Sequence, residues 1–164
     1  MRFVSAVALA AVMLWVPVDG VAQDRNPLAG VTSVDPTVYL TWDDRITLKT
    51  ESQFDRQAED ALELELLRAG LTVDPDAPNF VACTIVLVTR EGNSVAYAWH
   101  VAYTERVWPW LLPPARQGDP ENRQWADTWS QMGTGTVGVS NLEGAEFGRR
   151  CAEQFELAWR RANN

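Results

Sequence analysis

The side chains that could do chemistry in this sequence are few and scattered. His100 is the only histidine, and zinc sites usually use three or four nitrogen or sulfur ligands, so the chain offers no histidine-based metal cluster. A serine hydrolase could use His100 as its base, but the sequence has no Gly-x-Ser-x-Gly elbow. Because His100 lies among alanines on a predicted strand, we interpret it as a partly buried structural histidine.

The carboxylates offer two further candidates. Glu65 falls within the apolar stripe of a predicted helix, and a buried carboxylate there could act as a general acid or base. Asp43 with Asp44, and Asp74 with Asp76, could hold a calcium ion together with backbone carbonyls. Neither pair has the EF-hand spacing, and closely spaced aspartates are typical of turns. We therefore predict turns at both places and no bound metal.

A glycine-rich segment, Gly133 to Gly138, matches the Gly-x-Gly-x-x-Gly pattern of dinucleotide-binding sites. That pattern requires a strand before it, a helix that begins at it and an acidic residue about 20 positions later. Here a tryptophan-rich segment precedes it, and a single predicted helix follows it. We interpret the segment as a glycine-rich strand or turn and predict no cofactor.

Tryptophan is the feature that stands out, with 8 residues in a chain of 164. Half of them fall in a Trp- and Pro-rich segment, 107–132, which we interpret as a long loop with a short helix over Glu121 to Met132. The candidate partner-binding residues in it are Trp108, Trp110, Leu111, Leu112, Trp125 and Trp129.

Four roles remain open for this loop. It could form a second small core over the sheet. It could bind a protein partner, since tryptophan and tyrosine dominate binding hot spots and proline stiffens a loop. Its indole rings could also lie at a membrane interface or stack on carbohydrate.

A second aromatic group lies on a predicted strand from Ser94 to Glu105. Alternation places Tyr97, Trp99 and Tyr103 on one side of it. These three rings could form a stacking platform for a small ligand or glycan.

The elements that must position these residues follow from hydrophobic periodicity. Phe80 to Thr89 is apolar on both faces, which predicts a central strand covered on both sides. The remaining predicted elements are a strand at Thr37–Trp42, a helix at about 50–69, a strand at 133–139 and a helix that begins with a capping box at Ser140 and ends near Ala162. The pattern predicts one α+β domain in the order β-α-β-β-(long loop)-β-α, with a mainly antiparallel sheet of about four strands and two helices packed on it.

The first 22 residues read as an export signal. Arg2 precedes an apolar run from Phe3 to Val18, and small residues stand at Gly20 and Ala22. The run is shorter than the ~20 residues of a membrane-spanning helix, so we predict a signal peptide cleaved after Ala22. An uncleaved N-terminal anchor is the alternative. We assign 23–36 to a tether and 37–164 to the α+β domain.

The two cysteines, Cys83 and Cys151, agree with export. An even pair in an oxidising compartment reads as one disulfide, although two buried free thiols are the alternative. Because Cys83 lies on the central strand and Cys151 on the inner face of the last helix, we predict a bond that pins the helix to the sheet. The chain-entropy model gives such a bond about 4 kcal/mol.

The net charge of −8 argues against binding to nucleic acid or to anionic lipid headgroups. Our first hypothesis is a non-catalytic envelope protein, periplasmic or extracellular, that binds or stabilises a partner through the Trp/Pro-rich loop. It could be an accessory subunit of a larger membrane complex, and a retained leader would hold it at the outer face of the inner membrane. A small-ligand or glycan-binding domain comes second, and a hydrolase that uses Glu65 or His100 comes third.

Overall fold

The chain builds its sheet from one strand before the first helix and four strands after it. The computed structural model describes residues 26–43, 45–46, 51–90, 93–107, 121 and 123–164. Within these residues the elements are β1 (Ser33–Trp42), α1 (Glu51–Ala69), β2 (Thr72–Val73), β3 (Phe80–Thr89), β4 (Ser94–Val107), β5 (Gln124–Gly138), a 3-10 helix (Val139–Asn141) and α2 (Gly144–Asn163).

The sheet of the described residues is mixed and has five strands, in the order β2-β1-β3-β4-β5. β1 is parallel to both β2 and β3, whereas β3, β4 and β5 form an antiparallel meander. The α+β class with two helices is confirmed, but the expectation of a mainly antiparallel sheet of about four strands is only roughly met. The connection through α1 returns the chain to the same end of the sheet, which makes β1 and β3 parallel, and β2 is too short to leave a periodic signal.

The main core lies between one face of the sheet and the two helices. Alternate residues of β3 supply its centre, and both helices contribute side chains spaced three or four residues apart. The largest contributions come from Val81, Ile85, Leu87, Val95, Val101, Tyr103, Phe54, Leu62, Leu66, Phe147 and Phe155. This core holds β3 and β4 rigidly, so the opposite face of the sheet has a fixed shape.

The two helices cross at two glycines of α2. A Cβ atom at Gly144 would overlap the backbone carbonyl of Phe54, and one at Gly148 would overlap that of Ala58. Glycine is therefore required for the helix backbones to approach this closely. The close crossing lets both helices pack on the same face of the sheet.

We expected a tether at 23–36, and the structure corrects this expectation for residues 26–36, which are part of the folded core. Leu28 and Val34 are fully buried, and the indole Nε1 of Trp159 donates a hydrogen bond of 2.8 Å to the carbonyl of Val31. The apolar residues here are few, but hydrogen bonds to the end of α2 hold this segment against the core. β1 accordingly begins four residues before the predicted strand.

The structure also corrects the second half of the predicted long loop, which forms part of a strand. β4 continues to Val107, and β5 begins at Gln124, so the helix expected over Glu121 to Met132 is wrong. An irregularity in the pairing of β4 and β5 disturbs the alternation that marks a strand, and glycines lower the β propensity of its second half.

The start of α2 differs from the expected capping box as well. Ser140 belongs to the 3-10 helix, and the N-cap of α2 is Glu143, which makes no side-chain capping bond. The expected cap at Thr50 and the leader 1–22 lie outside the described residues. Among the helices that are described, none is long and apolar enough to cross a membrane.

Candidate functional site

The two faces of the sheet have different coverings. One face packs on α1 and α2, and no helix of the described residues packs on the other, which we call the helix-free face. The register of the strands assigns to the helix-free face Asp35, Thr37, Tyr39, Thr41, Phe80, Ala82, Thr84, Val86, Val88, Ala96, Ala98, His100, Ala102, Thr104, Arg106, Trp125, Asp127, Ser130, Met132, Thr134 and Thr136. The expectation that β3 is central is confirmed, but among the described residues no helix covers its second face.

Large apolar side chains on the helix-free face are open to solvent. The exposed fraction is 53% for Tyr39, 46% for Val88, 53% for Trp125 and 70% for Met132. These residues come from three strands of the sheet, from β1 near one side through β3 to β5 at the other. Exposed apolar groups gathered on one face are typical of an interaction surface.

Trp125 is held at one corner of this face. Its ring packs on the ring of Phe80 at a centroid distance of 5.1 Å, and the guanidinium of Arg106 lies 5.9 Å from its ring centroid. Next to it, the hydroxyl of Thr104 donates a hydrogen bond of 2.5 Å to Asp127 Oδ1. The indole is therefore positioned by neighbours while half of its surface stays free.

Trp129 lies on the other face of the sheet. The register between β4 and β5 shifts between Tyr103 and Thr104, which leaves Thr128 without a partner on β4. This bulge sends Trp125 to the helix-free face and Trp129 to the helix-covered face, where its ring meets Phe155 edge-on at 5.7 Å. The structure therefore does not bring together these two residues of the predicted partner site. The other four, Trp108, Trp110, Leu111 and Leu112, lie outside the described residues.

The predicted ligand platform faces the helices. Tyr103 is 1% exposed and packs near Phe155, while Tyr97 meets Phe147 of α2 edge-on at 5.0 Å. Burial, with a smaller contribution from the charge of Glu105, raises the pKa of Tyr103 to about 12. Tyr97, Trp99 and Tyr103 thus do not form an exposed stacking surface.

The glycine pattern in β5 has a structural explanation. Gly133 lies opposite Trp99 and Gly135 opposite Tyr97, and a Cβ atom at either glycine would overlap the facing aromatic ring. The rings cover the glycines across the strand pair, a cross-strand contact that stabilises the sheet. The segment contributes to packing, and its position at an edge strand differs from the strand-to-helix turn of dinucleotide sites.

The predicted disulfide between Cys83 and Cys151 is present. Both residues are fully buried in the core between β3 and α2, with their Cα atoms 5.9 Å apart. The bond joins the central strand to the last helix, as the positions of the two cysteines in the sequence suggest.

The candidate acid–base residues do not come together. Glu65 is paired with Arg68 on the surface of α1 at 2.6 Å, whereas His100 lies on the helix-free face between Thr84 and Met132. They are thus on opposite sides of the sheet. The described residues contain no group of three side chains that could hold a metal ion.

A group of aspartates marks one end of the helix-free face. Burial and the nearby charges of Asp74 and Asp76 raise the pKa of Asp35 above its ordinary value. Asp74 also accepts a hydrogen bond of 3.0 Å from the backbone N–H of Asp76, so this pair stabilises a turn.

A shallow depression of about 460 Å³ lies on the helix-free face where β3, β4 and β5 meet. It forms because β4 carries Ala96 and Ala98 between the larger Val86 and Val88 of β3 and the threonines of β5. The depression is open to solvent and adds a concave element to an otherwise flat surface.

Comparison with known proteins gives no family. No family model matches the chain, and no curated protein matches it. Among solved structures, a dodecamer of a PelC variant from Paraburkholderia phytofirmans is similar, with a TM-score of 0.42 and 12% identity over 82% of this chain and 92% of that chain.

Two further solved structures are similar at comparable levels. An uncharacterized protein has a TM-score of 0.35 and 12% identity, over 84% of this chain and 94% of its own. A minor lipoprotein from Acinetobacter baumannii has a TM-score of 0.31 and 10% identity, over 76% of this chain and 94% of its own. These likenesses are too distant to assign a function.

Proposed function

We propose that this chain is a non-catalytic exported protein of the cell envelope that binds a protein partner through the helix-free face of its sheet. The observation that carries the proposal is the exposure of Tyr39, Val88, Trp125 and Met132 on that one face. Aromatic residues and methionine are enriched at protein–protein interfaces, and fixed aromatic rings lose little entropy on binding.

The disulfide and the predicted leader support the proposed location. Structural disulfides persist in the periplasm and outside the cell and are rare in the cytosol, and Cys83–Cys151 is buried. We therefore propose that the protein acts in the periplasm or the extracellular space. Anchoring at the outer face of the inner membrane applies if the leader is retained.

Trp125 connects this proposal to the partner site expected from the sequence. It belongs to the Trp/Pro-rich segment and is also one of the exposed residues of the helix-free face. A partner seated on this face would cover the indole and the depression beside it. A role as an accessory subunit of a larger assembly fits a surface with exposed apolar groups.

The test compares two triple variants, each of which removes three exposed apolar side chains. In the first, Tyr39→Ala, Trp125→Ala and Met132→Ala remove side chains of the helix-free face. In the control, Leu64→Ala, Leu67→Ala and Leu157→Ala remove similarly exposed side chains of the helices. Each variant is expressed with its leader, cross-linked in intact cells and purified under denaturing conditions.

We expect the wild type and the helix variant to give a defined cross-linked species that contains a different protein, and we expect the face variant to lose it. Circular dichroism and thermal unfolding check that both variants fold. Cross-linking of the folded face variant at the wild-type level would refute the proposal. N-terminal mass analysis of the same preparations reports whether the leader is removed after Ala22.

A further inference from the structure

The outer edge of β5 is the longest unpaired strand edge in the described residues. β5 is the last strand of the sheet and is 15 residues long, whereas β2 at the opposite edge has two residues. The outer edge of a strand presents N–H and C=O groups that can pair with another strand. The ability of β5 to pair therefore depends on which of its backbone N–H and C=O groups point outward.

Two backbone hydrogen bonds show which residues of β4 and β5 direct their backbone groups toward each neighbouring strand. The N–H of Arg90 donates to the carbonyl of Ser94 at 3.0 Å, and the N–H of Val139 donates to that of Asn93 at 3.1 Å. In an antiparallel pair, bonded and non-bonded pairs alternate along the strand. With the observed register, even-numbered residues of β4 bond to β3 and odd-numbered residues bond to β5.

The backbone groups of β5 therefore divide by position. Beyond the bulge, the odd-numbered residues from Trp129 to Val137 bond to β4. The N–H and C=O groups of Ser130, Met132, Thr134 and Thr136 consequently point away from the sheet. Four successive outward positions provide the hydrogen-bonding pattern of a full additional strand.

This edge lacks the features that usually prevent strand pairing. Proteins protect such edges with charged residues, proline, short strands or bulges. The ten residues from Trp129 to Gly138 contain no charge and no proline, and the single bulge lies before them at Thr128.

The charge distribution favours a second copy as the occupant. Two acidic chains repel each other over most of their surfaces, so an uncharged edge is where two copies can approach at the lowest electrostatic cost. Antiparallel pairing of a strand with itself is self-complementary about a two-fold axis, as closed dimers require. With the axis at Gly133, Met132 of one copy lies opposite Thr134 of the other.

We propose that two copies of this chain pair antiparallel along β5, through the outward backbone groups of residues 130–136, so that their sheets join into one continuous sheet. This goes beyond the proposed function and does not depend on it. The helix-free faces of the two copies then lie side by side and present one surface of twice the width.

The experiment uses sedimentation velocity on the exported, oxidised chain over a wide range of concentrations. Thr134→Pro removes an outward N–H and leaves the bonds between β4 and β5 in place, whereas Thr134→Ala keeps that N–H. We expect the wild type and Thr134→Ala to dimerise, and Thr134→Pro to dimerise at least about tenfold more weakly, because each dimer loses two hydrogen bonds.

A second pair of variants serves if the proline variant does not fold. Thr136→Pro removes a different outward N–H, whereas Thr136→Ala keeps it. Thr136→Pro should weaken dimerisation more than Thr136→Ala. Equal dimerisation of the two variants would overturn the proposal, as would a wild-type chain that stays monomeric up to its solubility limit.

Hydrogen exchange distinguishes this dimer from one formed elsewhere. The amides of Met132, Thr134 and Thr136 should become more protected as the protein concentration rises. A dimer in which their exchange does not depend on concentration would use another surface and would overturn the proposal. The cross-linking of a different protein reports on the proposed function alone, so the two can fail separately.

Discussion

The helix-covered and helix-free faces of the sheet are formed by the same strands but differ in the burial of their side chains. On β3, Val81 and Ile85 are fully buried beneath the helices, while Val86 is half-buried and Val88 is exposed on the other side. The helix-covered face holds the fold together, and the helix-free face presents side chains to the surroundings. The apolar residues of one strand can therefore be buried in the core on one face and open to solvent on the other.

The size of the β4 side chains accounts for part of this difference. Its helix-covered face carries Tyr97, Trp99 and Tyr103, which pack on α2 and on the glycines of β5. Its helix-free face carries alanines, which give a second layer little to pack against and leave a depression.

The largest expected effect is on the free energy of unfolding, and one aromatic residue is replaced on each face to compare them. Phe155→Ala on the covered face should lower the free energy of unfolding by about 3–5 kcal/mol, because it leaves a cavity beside Tyr103 and Trp129. Tyr39→Ala on the helix-free face should change it by about 0.5 kcal/mol or less. Urea unfolding measures both, and similar losses would show that the helix-free face is core.

Removal of the disulfide should cause the next largest loss of stability. A double Cys83→Ala, Cys151→Ala variant should lose about 2–4 kcal/mol of stability, since the bond closes a loop over a sequence separation of 68. Reduction of the wild type in denaturant serves as the control and should give a similar loss. A much smaller loss would mean that the bond contributes little to the stability of the core between β3 and α2.

A smaller effect is expected at the corner near Trp125. Thr104→Val keeps the shape of the side chain but removes the donor to Asp127, so we expect a loss of about 1–2 kcal/mol. Thr136→Val on the same face is the control, because Thr136 is exposed. Equal unfolding free energies for the two variants would mean that the Thr104–Asp127 bond adds nothing to this corner.

Periodicity predicted the parts of the fold that have a long, regular pattern. The helix stripe of Phe54, Ala58, Leu62 and Leu66 is buried as expected, and the positions of the two cysteines were enough to predict their bond. The strands β3 and β4 also agree with the prediction, because each is an uninterrupted run of mostly apolar residues with high β propensity.

The sequence could not show which face of β3 would be covered, since both faces are apolar. It also missed the first part of β5, because the bulge at Thr128 places Trp125 and Trp129, four residues apart, on opposite faces. A regular strand would have placed them on the same face. The exposed set of Tyr39, Val88 and Met132 was missed because it gathers residues from three separate strands, and no local pattern connects them.

The smallest expected effect concerns the charge at the end of the helix-free face. Because the pKa of Asp35 is raised in the folded state, its ionisation costs stability, and that cost disappears as the pH falls below the usual value of 3.8. Asp35→Asn should therefore stabilise the protein at pH 7 and have little effect near pH 3. Urea unfolding at the two pH values, with Asp60→Asn as a control for the loss of one charge on α1, measures the difference. An equal effect of Asp35→Asn at both pH values would mean that neither burial nor the charges of Asp74 and Asp76 raise the pKa of Asp35 in the folded state.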